Sequence, residues 1–240
     1  MPTPNNVTRF PGGMNNLLDN DVFANLLIQD WGQMHSFLED FDLFLATMWS
    51  VGGVGTPTRA LAAGDGGIVA IGNSAANGDN SWIQGSIGYT LTSPNTKRVF
   101  FAARAAVDDA TNGVVALGLQ IAVAGNNFLT PVNGIFFLKA AAGTSMVLRN
   151  RAASVTTDSA SLGSVVANQQ FEVAFAIDLN TLAIIAAFQP DTSKGPAQVV
   201  SSIVPAALPT VAMGVTAAVQ NGTAAARTLN LDQIFAAKER

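Results

Sequence analysis

Side chains that could do acid–base or covalent chemistry are scarce in this chain. It has one histidine, His35, one tyrosine, Tyr89, no cysteine and three glutamates. A glycosidase needs two carboxyl groups about 5–10 Å apart. Glu172 and Asp178 share one predicted strand and one of its faces, but six residues of strand separate them by roughly 20 Å. They are too far apart to act as a hydrolytic pair.

Other catalytic arrangements are equally poorly supported. Glu39 and Asp40 would point to opposite sides of a strand, and no third group accompanies them and Asp42. A nucleophilic triad would have to use His35, and no serine sits in a Gly-x-Ser-x-Gly turn. We therefore expect a non-enzymatic protein with no catalytic residues, and we expect His35 to pack against its neighbours.

Metal and phosphate sites are not indicated either. One histidine and no cysteine cannot form the clusters that hold zinc. Asp108, Asp109 and Asn112 supply oxygens at a spacing that calcium could use, but turn chemistry explains the same residues. The glycine run at 64–67 lacks the spacing of a nucleotide-binding loop. The sequence predicts no metal and no cofactor.

The aromatic residues leave two interpretations open. Trp31, Trp49 and Trp82 could stack on sugars, although packed anchors are the commoner role of tryptophan. An exposed Trp82 or Tyr89, with Asn and Asp on nearby loops, would favour a carbohydrate-binding module.

Charge is the most unusual bulk property of the chain. Charged residues make up 12% of its 240 residues, against about 25% in a typical soluble domain. So few ionic groups predict that part of the surface is covered by other chains. The net charge is −4 and the basic residues occur as pairs, so no nucleic-acid groove is expected. The longest apolar run, Leu182–Phe188, is too short to span a membrane.

The N-terminal 33 residues differ in amino-acid composition and apolar pattern from the rest of the chain. Residues 1–20 are rich in Asn, Pro and Gly and are predicted to form an extended arm. Residues 21–32 place Phe23, Leu27 and Trp31 on one face of a short helix. The arm is either a loose terminus or a segment that docks on a neighbouring subunit, and the helix either docks likewise or packs within its own chain. The interface candidates are Thr8, Arg9, Phe10, Phe23, Leu27 and Trp31.

Residues 27–48 admit two structures. Their apolar spacing fits a heptad seam, which predicts one long helix. Alternatively, the helix stops near Trp31 and Phe37–Asp42 forms the first strand of a sheet.

From Gly66 onward, short apolar runs alternate with turn residues, which predicts an antiparallel sandwich or barrel. The Asp178–Thr181 turn is the clearest hairpin signal, and Ser154–Ala167 is interpreted as strand ends and loop. The predicted strands are Ile68–Ile71, Trp82–Leu91, Arg98–Val107, Val114–Val123, Gly134–Lys139, Ser145–Arg151, Phe171–Ile177, Leu182–Phe188, Val211–Val219 and Arg227–Phe235.

Several stretches resemble concanavalin-like (laminin G-like) sandwiches. Residues 37–42 (FLEDFD) followed by Trp49-Ser-Val are similar to the opening of that family, and 99–106 (VFFAARAA), Gly134–Lys139 and Phe171–Ile177 are similar to its later strands. The start NNVTRFPGG, residues 82–85 and the end IFAAKER resemble tailed-phage virion proteins that decorate the capsid.

This resemblance implies a mainly β, jelly-roll-like sandwich over residues 34–240, preceded by the arm and short helix at 1–33. It favours the strand over the long helix at 37–42. It implies a non-enzymatic cement protein on the outer capsid surface of a virion, made in the host cytoplasm, with the major capsid protein and its own copies, as a trimer, for partners. No contact with nucleic acid or membrane is implied. The alternative is a lectin-like virion module for host attachment.

Overall fold

The computed structural model of the chain describes residues 34–62, 67–86, 88–91, 97–124, 127–191 and 199–239. Two 3-10 turns, Ala46–Met48 and Asn127–Leu129, accompany the strands in these ranges. None of the helical segments there is long and apolar enough to cross a bilayer. In chain order the strands are β1 (Met34–Glu39), β2 (Ser50–Val54), β3 (Thr58–Leu61), β4 (Val69–Gly72), β5 (Asn80–Gln84), β6 (Arg98–Val107), β7 (Gly113–Gln120), β8 (Gly134–Lys139), β9 (Ser145–Ala152), β10 (Val155–Asp158), β11 (Gly163–Ser164), β12 (Phe171–Asp178), β13 (Ala183–Gln189), β14 (Val199–Ile203), β15 (Gly214–Asn221) and β16 (Thr228–Glu239).

The strands form two eight-stranded antiparallel sheets. Sheet A has the order β14-β13-β12-β6-β16-β4-β3, and β1 also pairs with β16. Sheet B has the order β10-β9-β8-β7-β15-β5-β2, and β11 pairs with β9. The predicted fold class, an antiparallel jelly-roll-like sandwich, is therefore confirmed.

The main core lies between the two sheets. Alternate residues of the longer strands, such as β6, β7, β12 and β15, point into it, as the two-residue period of a strand requires. In β6, for example, Val99, Phe101 and Ala103 belong to this core. Phe175 of sheet A stacks on Phe101 at a ring-centroid distance of 5.2 Å and approaches Phe137 of sheet B at 6.0 Å. These rings hold the two layers together.

The conformation of residues 34–48 contradicts the long helix that the heptad spacing predicts. Residues 34–39 are β1, paired with β16, so a helix running on to Met48 is wrong. The alternative prediction, a strand at Phe37–Asp42, overlaps β1, but the observed strand runs from Met34 to Glu39 and so ends three residues earlier than predicted. The chain leaves the strand because Phe41 adopts a left-handed conformation, with φ of 54°. This turns the Phe41 ring into the core, where it stacks on Trp49 at 5.7 Å.

The later strands follow the sequence pattern closely. Arg98–Val107 and Gly134–Lys139 have the predicted bounds. The predicted strand Trp82–Leu91 is wrong beyond Gln84, where the chain turns before Tyr89 forms an isolated bridge with Met213.

Five strands were not predicted. β2, β3 and β14 are short edge strands of four or five residues, and each is held by pairing with one neighbour, β5, β4 and β13 respectively. β10 and β11 fall within Ser154–Ala167, which the sequence indicated as strand ends and loop. The division into an arm at 1–33 and a sandwich at 34–240 stays a prediction, since residues 1–33 lie outside the described ranges.

Candidate functional site

Several loops converge at one end of the sandwich; four of them cross from one sheet to the other, and the β8–β9 loop closes a hairpin. They connect β2 to β3, β4 to β5, β6 to β7, β8 to β9 and β15 to β16. The amide of Asn221 donates to the carbonyl of Ala76 at 2.9 Å, and the N–H of Gly222 donates to the carbonyl of Asn112 at 2.8 Å. We call the loops at 55–57, 73–79, 108–112, 140–144 and 222–227 the polar loop end.

Asp109 organises the β6–β7 loop within this end. Its Oδ1 accepts the N–H groups of Thr111 at 2.8 Å and of Asn112 at 2.9 Å, and Arg227 Nη2 lies 2.8 Å from its Oδ2. The N–H of Asn112 is the main cause that lowers the pKa of Asp109 to about 2, with Arg227 contributing. This geometry supports the turn interpretation of Asp108, Asp109 and Asn112. In the part of the chain that the structure describes, no three or more His, Asp or Glu side chains form a group that could hold a metal ion.

The β4–β5 loop is tied both to itself and to the β2–β3 connection. Ser74 Oγ donates to Asp79 Oδ2, and the N–H of Thr56 donates to Ser74 Oγ at 3.0 Å. Asn73 Nδ2 donates to the carbonyl of Asp79 at 3.0 Å. Gly55 has φ of 85°, and a Cβ there would lie 2.4 Å from Asp79 Oδ2. Only glycine fits this close approach, so the loops are held in one arrangement.

Lys139 stabilises the polar loop end from inside the sandwich. Its side chain is fully buried, and its amine donates to the carbonyl of Thr111 at 3.1 Å and to that of Gly113. Burial lowers the pKa of Lys139 to about 8; the charge of Asp109 opposes this shift and that of Arg227 adds to it. The amine holds the β6–β7 connection in place from inside and is not an accessible nucleophile.

Some oxygens at this end lack a donor among the described residues. Asn80 Oδ1, Asn221 Oδ1 and Asp108 Oδ1 are buried without a hydrogen-bond partner there. Buried polar atoms in native proteins are usually satisfied by protein groups or by ordered water. Ordered water inside this end of the sandwich would satisfy these three oxygens.

Two carboxylates on sheet A, those of Glu172 and Asp232, are paired with Arg104. Arg104 Nε donates to Glu172 Oε1 at 2.8 Å, and Arg104 Nη1 donates to Asp232 Oδ2 at 3.2 Å. Glu172 and Asp178 lie on one face of β12, as predicted. This arrangement is an ion-paired surface cluster.

Among the aromatic candidates for sugar stacking, Trp49, Trp82 and Tyr89 are buried, and Trp31 lies outside the described residues. Trp82 is 7% exposed and lies against Gly52, where a Cβ would meet its ring at 2.3 Å. Tyr89 is 2% exposed and donates its hydroxyl to the carbonyl of Ala236 at 3.1 Å. His35 packs beside Tyr89 at a ring-centroid distance of 5.5 Å. Trp82 and Tyr89 therefore do not present a free ring to a ligand.

The predicted interface residues cannot be placed in this architecture. Thr8, Arg9, Phe10, Phe23, Leu27 and Trp31 lie outside the described residues. Conversely, sequence reasoning missed the polar loop end as a unit. The sequence did contain a signal for this site: amide and carboxyl side chains lie beside glycine at the ends of two strands, at Asp79-Asn80 and at Asn221-Gly222.

Comparison with known proteins identifies the fold of this chain but assigns it to no family. No protein-family model and no curated protein matches the sequence. Among solved structures, peanut lectin with a 9mer peptide has a TM-score of 0.61 at 11% identity, covering 86% of this chain and 97% of the lectin. The lectin UEA-II complexed with galactose has a TM-score of 0.61 at 10% identity, covering 86% and 99%. Arcelin-5, a lectin-like defence protein from Phaseolus vulgaris, has a TM-score of 0.60 at 8% identity, covering 87% and 100%. The chain thus has the concanavalin-like sandwich that these lectins share.

Proposed function

We propose that this protein is a non-enzymatic carbohydrate-recognition module whose binding surface is the polar loop end. The observation that carries the proposal is the convergence of amide, hydroxyl and carboxylate groups at one end of a lectin-like sandwich. One structure of similar fold is a lectin complexed with galactose. The virion setting suggested by the sequence would make such a module a host-attachment device.

The chemistry of these loops suits sugar hydroxyls, which both donate and accept hydrogen bonds. Thr111 and Thr223 are exposed there, and the half-buried Asn112 donates its side-chain amide to Asp109 Oδ2 at 3.1 Å. The loops are already fixed by their own bonds, so little conformational entropy would be lost on binding.

The same geometry favours binding over hydrolysis. A general acid must hold a proton near working pH, whereas Asp109, with a pKa of about 2, is ionised there. The carboxylate of Glu172 is paired with Arg104 on sheet A.

A glycan array with the purified full-length chain tests the proposal. We expect retention of at least one glycan class, with affinity reduced about tenfold in a variant carrying Thr111→Ala and Thr223→Ala, since two hydrogen bonds of ordinary strength are removed. Thr130→Ala, an exposed threonine in the loop between β7 and β8, is the matched control. Absence of any retained glycan, or an equal loss in the Thr130 variant, would contradict the proposal.

A second candidate is capsid decoration, which the exposed apolar residues beside the edge strands β2 and β3 favour. Leu43 is 60% exposed, Met48 is 55% exposed and Leu45 is 45% exposed. Together with the low charge content, they suit burial against the major capsid protein or against further copies in a trimer on the outer capsid surface. Thr8, Arg9 and Phe10 are the proposed arm contacts in this setting.

Co-sedimentation with purified capsids separates the two candidates. Decoration predicts that the full-length chain pellets with shells and that Leu43→Ser combined with Met48→Ser weakens pelleting. Val166→Ser, at a residue 51% exposed elsewhere, is the control and should pellet normally. A chain that never pellets with shells is not a cement protein.

A further inference from the structure

A lysine and the only histidine of the chain lie side by side at the end of the sandwich opposite the polar loop end. Lys238 of β16 is the register partner of His35 in β1 and of Val99 in β6. Directly opposite residues of an antiparallel sheet share a face, and Val99 belongs to the inter-sheet core. Lys238 and His35 therefore point to the core side of sheet A, where its strands end.

A second lysine, Lys97, extends this group along the start of β6. It lies two residues before Val99, so strand alternation places its side chain on the same side of sheet A. Diagonal neighbours of this kind lie about 7–8 Å apart across two antiparallel strands. Burial, and then the positive charge of Lys97, lower the pKa of Lys238. The two amines are therefore within electrostatic range of each other.

Thr90 brings a hydroxyl group to the same place. Lys238 Nζ donates to the carbonyl of Thr90 and to Thr90 Oγ1, the latter at 3.2 Å. An ammonium group has three N–H donors, so one remains for another acceptor. Thr90 Oγ1 accepts the lysine and still has its own O–H to donate. We call Lys97, Lys238, His35 and Thr90 the basic cluster.

The carboxylates at the same strand ends point away from the basic cluster. Glu239 follows Lys238, so its side chain lies on the opposite face, where Oε2 accepts the N–H of Arg98 at 2.7 Å. Asp178 lies opposite Arg98 in the register, and its Oδ1 accepts the N–H of Asn180 at 2.8 Å. Strand alternation thus separates these acids from the two lysines.

This separation leaves the lysine amines in an unfavourable electrostatic setting. Lys97 and Lys238 are both half-buried, so solvent and salt screen their repulsion less than at a fully exposed site. An opposite charge within about 4–6 Å favours the charged form of each amine. An anion held between them would therefore replace repulsion by attraction.

We propose that the basic cluster binds a tetrahedral oxyanion, the phosphate or sulfate group of an ester. The oxygens of such a group accept hydrogen bonds in several directions, which suits donors that converge from β1, β6, β16 and the segment at 88–91. A lysine ammonium acts as a point charge, so charge decides binding more than shape does. The basic cluster lies at the other end of β6 from the polar loop end, roughly 30 Å away, and is independent of the proposed function.

Titration of the isotope-labelled full-length chain, followed by the amide NMR signals of the basic cluster, tests the proposal. The probes are glucose 6-phosphate and glucose 6-sulfate at constant ionic strength, with glucose as the uncharged control. A phosphate monoester has about two negative charges near neutral pH, so we expect it to bind more tightly than the singly charged sulfate ester. Binding of either ester supports the site, and the ratio of the two affinities identifies the source. Shifts of equal size with glucose, or no shifts with either ester, would overturn the proposal.

A matched pair of variants separates a site from a general charge effect. Lys238→Met should weaken binding of glucose 6-phosphate about tenfold, because a charge-assisted hydrogen bond is lost. Arg98→Met removes the same charge at the same strand end but on the opposite face, and should change the affinity less than about twofold. An equal loss in the two variants would contradict a defined site.

A further variant does not disturb the bonds between Lys238 and Thr90. Lys97→Met removes only the second amine and should weaken binding of the phosphate ester several-fold, while the amide signals of Thr90 in the free protein stay in place. Unchanged affinity in Lys97→Met would exclude the two-lysine arrangement.

Discussion

Replacing Phe175 by alanine is expected to lower the free energy of unfolding by about 3–5 kcal/mol. The Phe175 ring is fully buried, stacks on Phe101 and reaches Phe137 in the opposite sheet. Its removal leaves a cavity between two sheets that cannot collapse fully, because neighbouring strands fix their spacing. Denaturant unfolding of the full-length chain, followed by intrinsic fluorescence, measures the loss.

The control for Phe175→Ala is Val200→Ala, on the outer face of edge strand β14. Val200 is 49% exposed, so its truncation should change the free energy of unfolding by less than about 1 kcal/mol. Similar losses in the two variants would mean that the rings between the sheets do not dominate stability.

The stability of the fold is expected to rise with pH between about pH 8 and about pH 9.5, by up to about 2 kcal/mol. The main cause is Lys139, whose pKa burial lowers to about 8; burial also lowers the pKa of Lys238, which adds to the rise in the same direction. Over this interval the native state has released the proton and the unfolded state still binds it, so unfolding takes up a proton and becomes less favourable as pH rises. Below about pH 8 both states are protonated and this contribution is constant.

Unfolding curves at several pH values check the Lys139 prediction. Lys139→Met should remove most of the rise, whereas Lys97→Met should retain it. Burial raises the pKa of Tyr89, and titration of unfolded tyrosine would oppose the effect at higher pH, so the measurement stops near pH 9.5. A Lys139→Met variant with the same pH slope as the parent chain would exclude this lysine as the cause.

The sequence alone predicts those strands whose pattern of apolar and turn residues lies within the strand and its immediate neighbours. Arg98–Val107 and Gly134–Lys139 are continuous apolar runs bounded by turn residues, and the structure reproduces their bounds. Residues 34–39 were harder, because their apolar spacing fits a helix on its own. Their strand conformation comes from pairing with β16, about 200 residues away along the sequence.

The polar loop end shows the same limit for a site. Asp109 could be identified as a turn residue from its neighbours alone. Its contact with Arg227, and the bond from the Arg227 N–H to Asn73, join segments up to 154 residues apart in sequence. Such contacts depend on the order of strands in the two sheets, which single-residue patterns do not determine.

The position of the last strand within sheet A also limits when the protein can fold. β16 lies between β6 and β4 and provides the partner of β1. While a chain on the ribosome has not yet made β16, sheet A lacks one of its inner strands and β1 lacks its partner. Since contacts distant in sequence form slowly, assembly of sheet A must wait until β16 has been synthesised, and a chaperone that shields open strand edges would increase the yield of native protein.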